Sequence, residues 1–255
     1  MSGSAALCAG KFGSTKTPAT SIWDLSLCCG VSDRTRFTCL PNARIWYWSR
    51  FPASAVRGIC KCSFSDCRRE GIAVVAGLEV CTREEVHVLA LFADLDRALA
   101  LQDWVYEGLA GENRPELFGW QVVADEHDEV QGENPRLLIG ATRWGLAETV
   151  RRIHGLEGLC IAAHVDRQAH GILNQLGFIP PDPPFDGVEV SWRVPLSEAR
   201  ARFPEIGDLP CLTASDAHRL AEIGRARTRL RLASPALGEL RLALRGEAGR
   251  GILPS

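Results

Sequence analysis

Residues 71–92 read GIAVVAGLEVCTREEVHVLALF, and the fold turns on how this stretch is read. Its first part, GIAVVAGLEV, is a short apolar run rich in β-branched residues, the composition of a strand buried on both faces. In EVHVLALFA, His87, Leu89 and Leu91 fall on one face while Val86, Val88, Ala90 and Phe92 fall on the other. Two strands are predicted. Glu79 closes the first apolar run and His87 opens the second.

From Glu70 onward strand-like and helix-like stretches alternate, as an α/β fold requires. DRALALQDWVYEGLAG (96–111) has helical spacing and is predicted to stop at Gly111, and LAETVRRIHG (146–155) repeats the design before the apolar run LCIAAHV. QAHGILNQLGF reads as a short helix, DGVEVSW as a strand, LSEARARF as a helix, LPCLTASDAH as a strand and SPALGELRLALRGEAGR as an amphipathic helix with a tail. IPPDPPF is a proline-rich loop.

The first 66 residues resist this treatment, and their composition differs. Seven of the ten cysteines lie at or before Cys67, and Lys11, Lys16 and Lys61 are the only lysines. Asp24, Asp33 and Asp66 are the only acids before Glu70. Residues 1–66 are therefore expected to be an atypical segment, disordered or out of frame, joined to a barrel domain over 67–255. A net charge of −2 gives no global reason to expect duplex nucleic acid or an anionic membrane as partner. The start, MSGSAALCAGKFG, lacks the pattern of a secretion signal and no run is apolar enough to span a bilayer, so a cytoplasmic location is expected. No protein partner is indicated.

Strand ends carry the chemistry. Glu79 closes VVAGLE, His87 opens HVLALF, His164 closes LCIAAH, and Asp216 and His218 follow LPCLTA. In an extended chain Asp216 and His218 project to one face, which suits two ligands of one ion and equally suits an N-cap before a helix. Each residue alone has a plain structural reading, a solvated strand end or a hydrogen-bonded core histidine. Carboxylates that bridge cations and neutral imidazoles that complete their shells point to zinc, manganese or iron. His154 fits a helix C-terminus, His127 in ADEHDE reads as solvated, and His170 is open.

GLEVCTREEVHVLALF, FGWQVVADEHDEV, GLCIAAHVDR with NQLGF, and SDAHRLAEIG, taken in order, resemble the polymerase-and-histidinol-phosphatase (PHP) superfamily of metal-dependent phosphoesterases. The resemblance implies a distorted seven-stranded β/α barrel, two or three divalent ions at its mouth, and hydrolysis of a phosphorylated metabolite, nucleotide or short oligonucleotide. By position it makes Glu79 the bridging carboxylate, with His87, His164, Asp216 and His218 as metal ligands. Glu79 and Asp216 would be catalytic, Asp216 as acceptor of a water proton, and Arg167 would hold the phosphate, its plain reading being a salt bridge.

The chain departs from the family pattern before His87, where it has no histidine. DLSLC (24–28) places Ser26 and Cys28 where a His-x-His pair is expected, and nothing resembles the Asp-His motif that follows. Three readings compete. Cys28, with Cys29, Cys60 or Cys62, substitutes as a zinc ligand; the domain is a degenerate binding or regulatory module; or the segment is a misread frame. Codons for RIWYWS (44–49), read two nucleotides along, can spell a buried strand, and an uninterrupted verified frame through residue 70 would exclude this.

Overall fold

The computed structural model describes residues 5–11, 21–29, 73–124, 130–216, 222 and 224–254. The predicted pair of strands is present as β3 (Ala73–Cys81) and β4 (His87–Phe92), antiparallel, with Cys81 opposite His87 and Glu79 opposite Leu89. β4 pairs antiparallel with β7 (Leu159–Ala162), and β7, β8 (Gly187–Ser191) and β9 (Cys211–Ala214) run parallel. This topology brings the end of β3, the start of β4 and the ends of β7, β8 and β9 to one rim.

β1 (Ala5–Lys11) and β2 (Ser21–Cys29) extend the sheet on the far side of β3, and β10 (Thr228–Leu232) and β11 (Gly251–Ile252) follow β2. The nine strands are ordered β11-β10-β2-β1-β3-β4-β7-β8-β9. A second sheet pairs β5 (Val122–Ala124) with β6 (Val130–Glu133).

Alternation along the strands builds two apolar layers. Leu78, Val80, Val88, Ala90, Phe92, Cys160, Ala162, Val188 and Val190 pack with α1 (Leu95–Gly108), α3 (Leu146–Gly155), α4 (Ile172–Leu176) and α5 (Leu196–Arg202). The opposite parity, Val75, Leu89, Leu91, Leu159, Ile161, Leu212 and Ala214, packs with Leu230, Leu232 and α6 (Leu237–Arg245). A short α2 (Pro115–Phe118) precedes the β5–β6 hairpin.

Several expectations are corrected. Among the described residues the sheet is not a closed seven-stranded barrel: β9 and β11 are the ends of an open ladder. Where closure would occur, a side chain replaces the ladder, with the Thr228 hydroxyl donating to Thr213 O at 2.8 Å and accepting from Thr213 N at 2.8 Å. The helix predicted over 96–111 ends at Gly108, because Leu109 leaves helical geometry and enters an isolated bridge with Thr142. Gly108 is required there: a Cβ would lie 2.0 Å from the Trp144 indole nitrogen, which donates to Trp104 O. β9 stops at Ala214 and Asp216 has φ 44, so Asp216 itself is not extended, while His218 lies outside the described residues. The hairpin and β10 carried no signal that the sequence reading recognised. Among the described residues no helix is long and apolar enough to cross a membrane.

Candidate metal centre

Glu79, His87 and His164 meet at the rim. Glu79 and His87 share a face because Glu79 is opposite Leu89 and His87 is two residues before Leu89. His164 arrives from beyond β7 with φ 29, an uncommon backbone that turns it off the strand. The loop behind it is pinned to both neighbours: Ala163 N donates to His87 O, Val165 N to Glu189 O, and His87 N to His170 O.

Three atoms form an equilateral triangle. Glu79 Oε1 lies 3.3 Å from His87 Nδ1 and 3.3 Å from His164 Nε2, and the two nitrogens are 3.3 Å apart. A tetrahedral ion with N and O ligands at about 2.0 Å separates those ligands by about 3.3 Å, so the spacing matches three corners of a zinc-sized shell with the fourth left open. All three side chains are buried. His87 Nε2 and His164 Nδ1 are also buried and have no hydrogen-bond partner among the described residues. The donor set and the spacing fit a divalent cation.

The electrostatics agree. Burial opposes ionisation of Glu79, but the charge of His87 and the hydrogen bonds of both imidazoles outweigh it and hold the carboxyl well below its usual range. Burial likewise disfavours protonated His164, yet its hydrogen bond to Glu79 and the charges of Glu79, Glu189 and Asp216 raise its pKa. An anionic pocket of this kind favours a cation.

A second group, Cys81, His87 and His170, is less suited to an ion although its ligand atoms are close. Burial pushes the Cys81 thiol up to about 11, so it stays protonated at neutral pH. His170 stacks on His87 at 4.2 Å with ring planes 5° apart, and its Nδ1 lies 3.1 Å from Glu85 O. Parallel stacked rings aim their lone pairs side by side rather than at one point.

Of the remaining expected residues, Asp216 is beside the triad but engages the Arg167 guanidinium in an ion pair. The plain reading of Arg167 as a salt-bridge partner is thus realised, with Asp216 as the acid. His218 lies outside the described residues, as do Cys60 and Cys62. His154 sits in the last turn of α3 and lies 3.0 Å from Asp186, as its helix-end reading implies. Sequence reasoning missed Glu189 and Asp166. Glu189 is a buried acid in GVEVS, and burial, reinforced by the charges of Asp216 and Glu79 against those of His164 and Arg167, raises its pKa to about 8. A lone acid between two buried valines was the available signal. Asp166 accepts from Ser191 N at 2.6 Å and Ser191 Oγ at 2.5 Å, tying the His164 loop to the end of β8.

A cavity of about 910 Å³ lies elsewhere, lined by Gly158, Asp186, Pro210 and Arg241. Gly158, Asp186 and Pro210 each precede a parallel strand, so this cavity opens at the opposite end of the sheet from the triad.

Residues 201–247 match the family model described as PHP-associated. No curated protein matches the chain. The fold is similar to that of a lesion-specific endonuclease of Pyrococcus furiosus, PfuEndoQ, with 20% identity and a TM-score of 0.52 over 68% of this chain and 39% of that one. A structure of endonuclease Q with a 27-mer duplex bearing an abasic lesion at the active site gives 19% identity and a TM-score of 0.45 over 68% and 40%. The chain spans about two fifths of the length of these neighbours. A fold shared with a lesion-specific endonuclease corrects the expectation that duplex nucleic acid is excluded as a partner. A net charge of −2 averages over the chain and does not describe its local surfaces. Together these comparisons show a PHP-associated segment over residues 201–247 and a fold shared with a lesion-specific endonuclease over 68% of this chain.

Proposed function

We propose that the chain is a metal-dependent phosphoesterase acting on phosphate esters of nucleotides, short nucleic acids or small metabolites. The observation that carries this is the 3.3 Å triangle of Glu79 Oε1, His87 Nδ1 and His164 Nε2. On this reading the curled sheet is a PHP-type β/α barrel left open between β9 and β10, with its site at the rim.

Glu79, His87 and His164 would hold the cation, with Asp216 and His218 as further ligands. When bound, a divalent cation supplies charge neutralisation for phosphate oxygens and acidifies water. The chain's own groups do the rest. Glu79 stays ionised between the imidazoles. Arg167 turns from Asp216 to the phosphate and makes a bidentate contact, which frees the Asp216 carboxylate to accept a proton from the attacking water.

The test is metal content and hydrolysis of bis(p-nitrophenyl) phosphate by wild type and E79Q. Wild type is expected to retain a divalent ion through desalting and to lose turnover in chelator, while E79Q loses at least tenfold in metal affinity and keeps its fold by circular dichroism. Retained metal and turnover in E79Q would remove Glu79 from the site.

Two features favour a second reading, a binding module without turnover: Asp216 is committed to Arg167, and no histidine precedes His87 in the sequence. That module predicts at most one ion and no hydrolysis after metal addition.

A further inference from the structure

Trp192 follows the last residue of β8 and is 38% exposed. Two guanidiniums lie against its indole: that of Arg225 is 4.3 Å from the ring centroid and that of Arg193 is 5.3 Å away. Neither arginine has a carboxylate partner among the described residues. Both are exposed.

The chain fixes this cluster beside the Arg167 and Asp216 pair. Ser191, next to Trp192, is bonded through its N–H and hydroxyl to Asp166, next to Arg167. On the other side, Ala226, next to Arg225, exchanges hydrogen bonds with the Ser215 hydroxyl, next to Asp216. From Arg225 the basic character continues: Arg225, Arg227, Arg229 and Arg231 recur at every second residue and are all exposed. Within β10, strand spacing sets Arg229 and Arg231 about 6.6–6.8 Å apart.

We infer that Trp192, Arg225 and Arg193 form a binding subsite for an unstacked nucleotide of a nucleic-acid strand. The inference rests on the phosphoesterase reading of the adjoining site and gives it a substrate class. An exposed indole and a guanidinium laid over it are both flat surfaces on which a base stacks without regard to its identity. The guanidinium keeps its N–H donors in plane, at the rim of the stack, where phosphate oxygens flank the base. A base reaches such a surface only from a single strand or after extrusion from a duplex. A cation–π cluster with a purely structural role would confer neither strand affinity nor salt dependence.

The experiment is fluorescence anisotropy of a fluorescein-labelled single-stranded oligonucleotide in EDTA, with salt titrations, for wild type, W192A, W192F and R225Q. W192A is expected to weaken binding at least about fivefold, the lower bound for one stacked base, while W192F stays close to wild type. R225Q is expected to reduce the slope of log affinity against log salt by about one. Unchanged binding by W192A, or no binding by wild type, would overturn the subsite. Displacement of the oligonucleotide by adenosine monophosphate at equal nucleotide concentration would also overturn it, making the occupant a free nucleotide.

Metal-dependent hydrolysis of bis(p-nitrophenyl) phosphate, measured in parallel, separates the two proposals. Retained hydrolysis with W192A-insensitive binding sinks the subsite alone. Absent hydrolysis with W192A-sensitive binding sinks the phosphoesterase reading alone.

Discussion

Glu189 keeps a proton that a glutamate in water gives up. Its pKa rises from 4.5 to about 8 because the side chain is buried beside acids. In the unfolded chain it ionises near 4.5, so between that pH and about 8 the folded state binds the extra proton and stability falls as pH rises. Each pH unit inside the window costs about 1.4 kcal/mol, and the penalty is absent below the unfolded pKa. E189Q removes the titration. In chelator, the melting temperature of E189Q relative to wild type is expected to climb steadily from pH 5 to pH 8, and parallel curves would refute the assignment. The residue scale was only partly legible in sequence. Glu79, His87 and His164 stood out because each interrupts or bounds an apolar run, whereas Glu189 was absorbed into a run assigned by its valines. The Arg167 and Asp216 pairing depends on two loops 49 positions apart, and no local pattern records it.

At the scale of elements, the loop from Ala163 to Gly171 positions the site more than any strand does. It carries His164 and His170, both with positive φ, and ends at Gly171. A Cβ there would lie 2.3 Å from Arg167 O and 2.9 Å from Val165 O, backbone atoms that cannot swing aside as a flexible side chain can. G171A is expected to cost about 1–3 kcal/mol by overpacking. At about 2–4 °C per kcal/mol the melting temperature falls by several degrees, and metal affinity falls with it because His164 moves. Calorimetry and a metal titration check this; unchanged metal affinity would show that the loop holds His164 without that close approach. The strands and helices around the loop were readable from period and length, since burial on both faces leaves apolar runs. The loop was not, because its shape is set by hydrogen bonds to His87 of β4 and to Glu189 and Ser191 of β8, two strands far apart in sequence.

For the whole molecule, alternating strand and helix patterns implied an α/β fold, and the sheet with α1, α3, α4 and α5 on one face and α6 on the other is that fold. Closure is a different matter. It depends on which strands become neighbours, and β10 joins the sheet through β2, from the part of the sequence with the least pattern. Between β9 and β10 hydroxyls stand in for the ladder: Thr228, fully buried, replaces two ladder hydrogen bonds with its own two to Thr213, and Ser215 does the same for Ala226 at the end of the seam. T228V keeps the shape and removes the hydroxyl, leaving the Thr213 N–H and carbonyl without that partner. A buried donor left unpaired costs about 1–3 kcal/mol, and a parted seam exposes the edge of β9 to pairing with another chain. T228V is therefore expected to melt several degrees lower and to scatter light on mild heating, while T228S, which retains the hydroxyl, behaves nearly as wild type. If T228V melts and scatters like wild type, the Thr228 hydroxyl does not hold the seam, and the contact between β9 and β10 rests on the packing of Leu212, Leu230 and their neighbours instead.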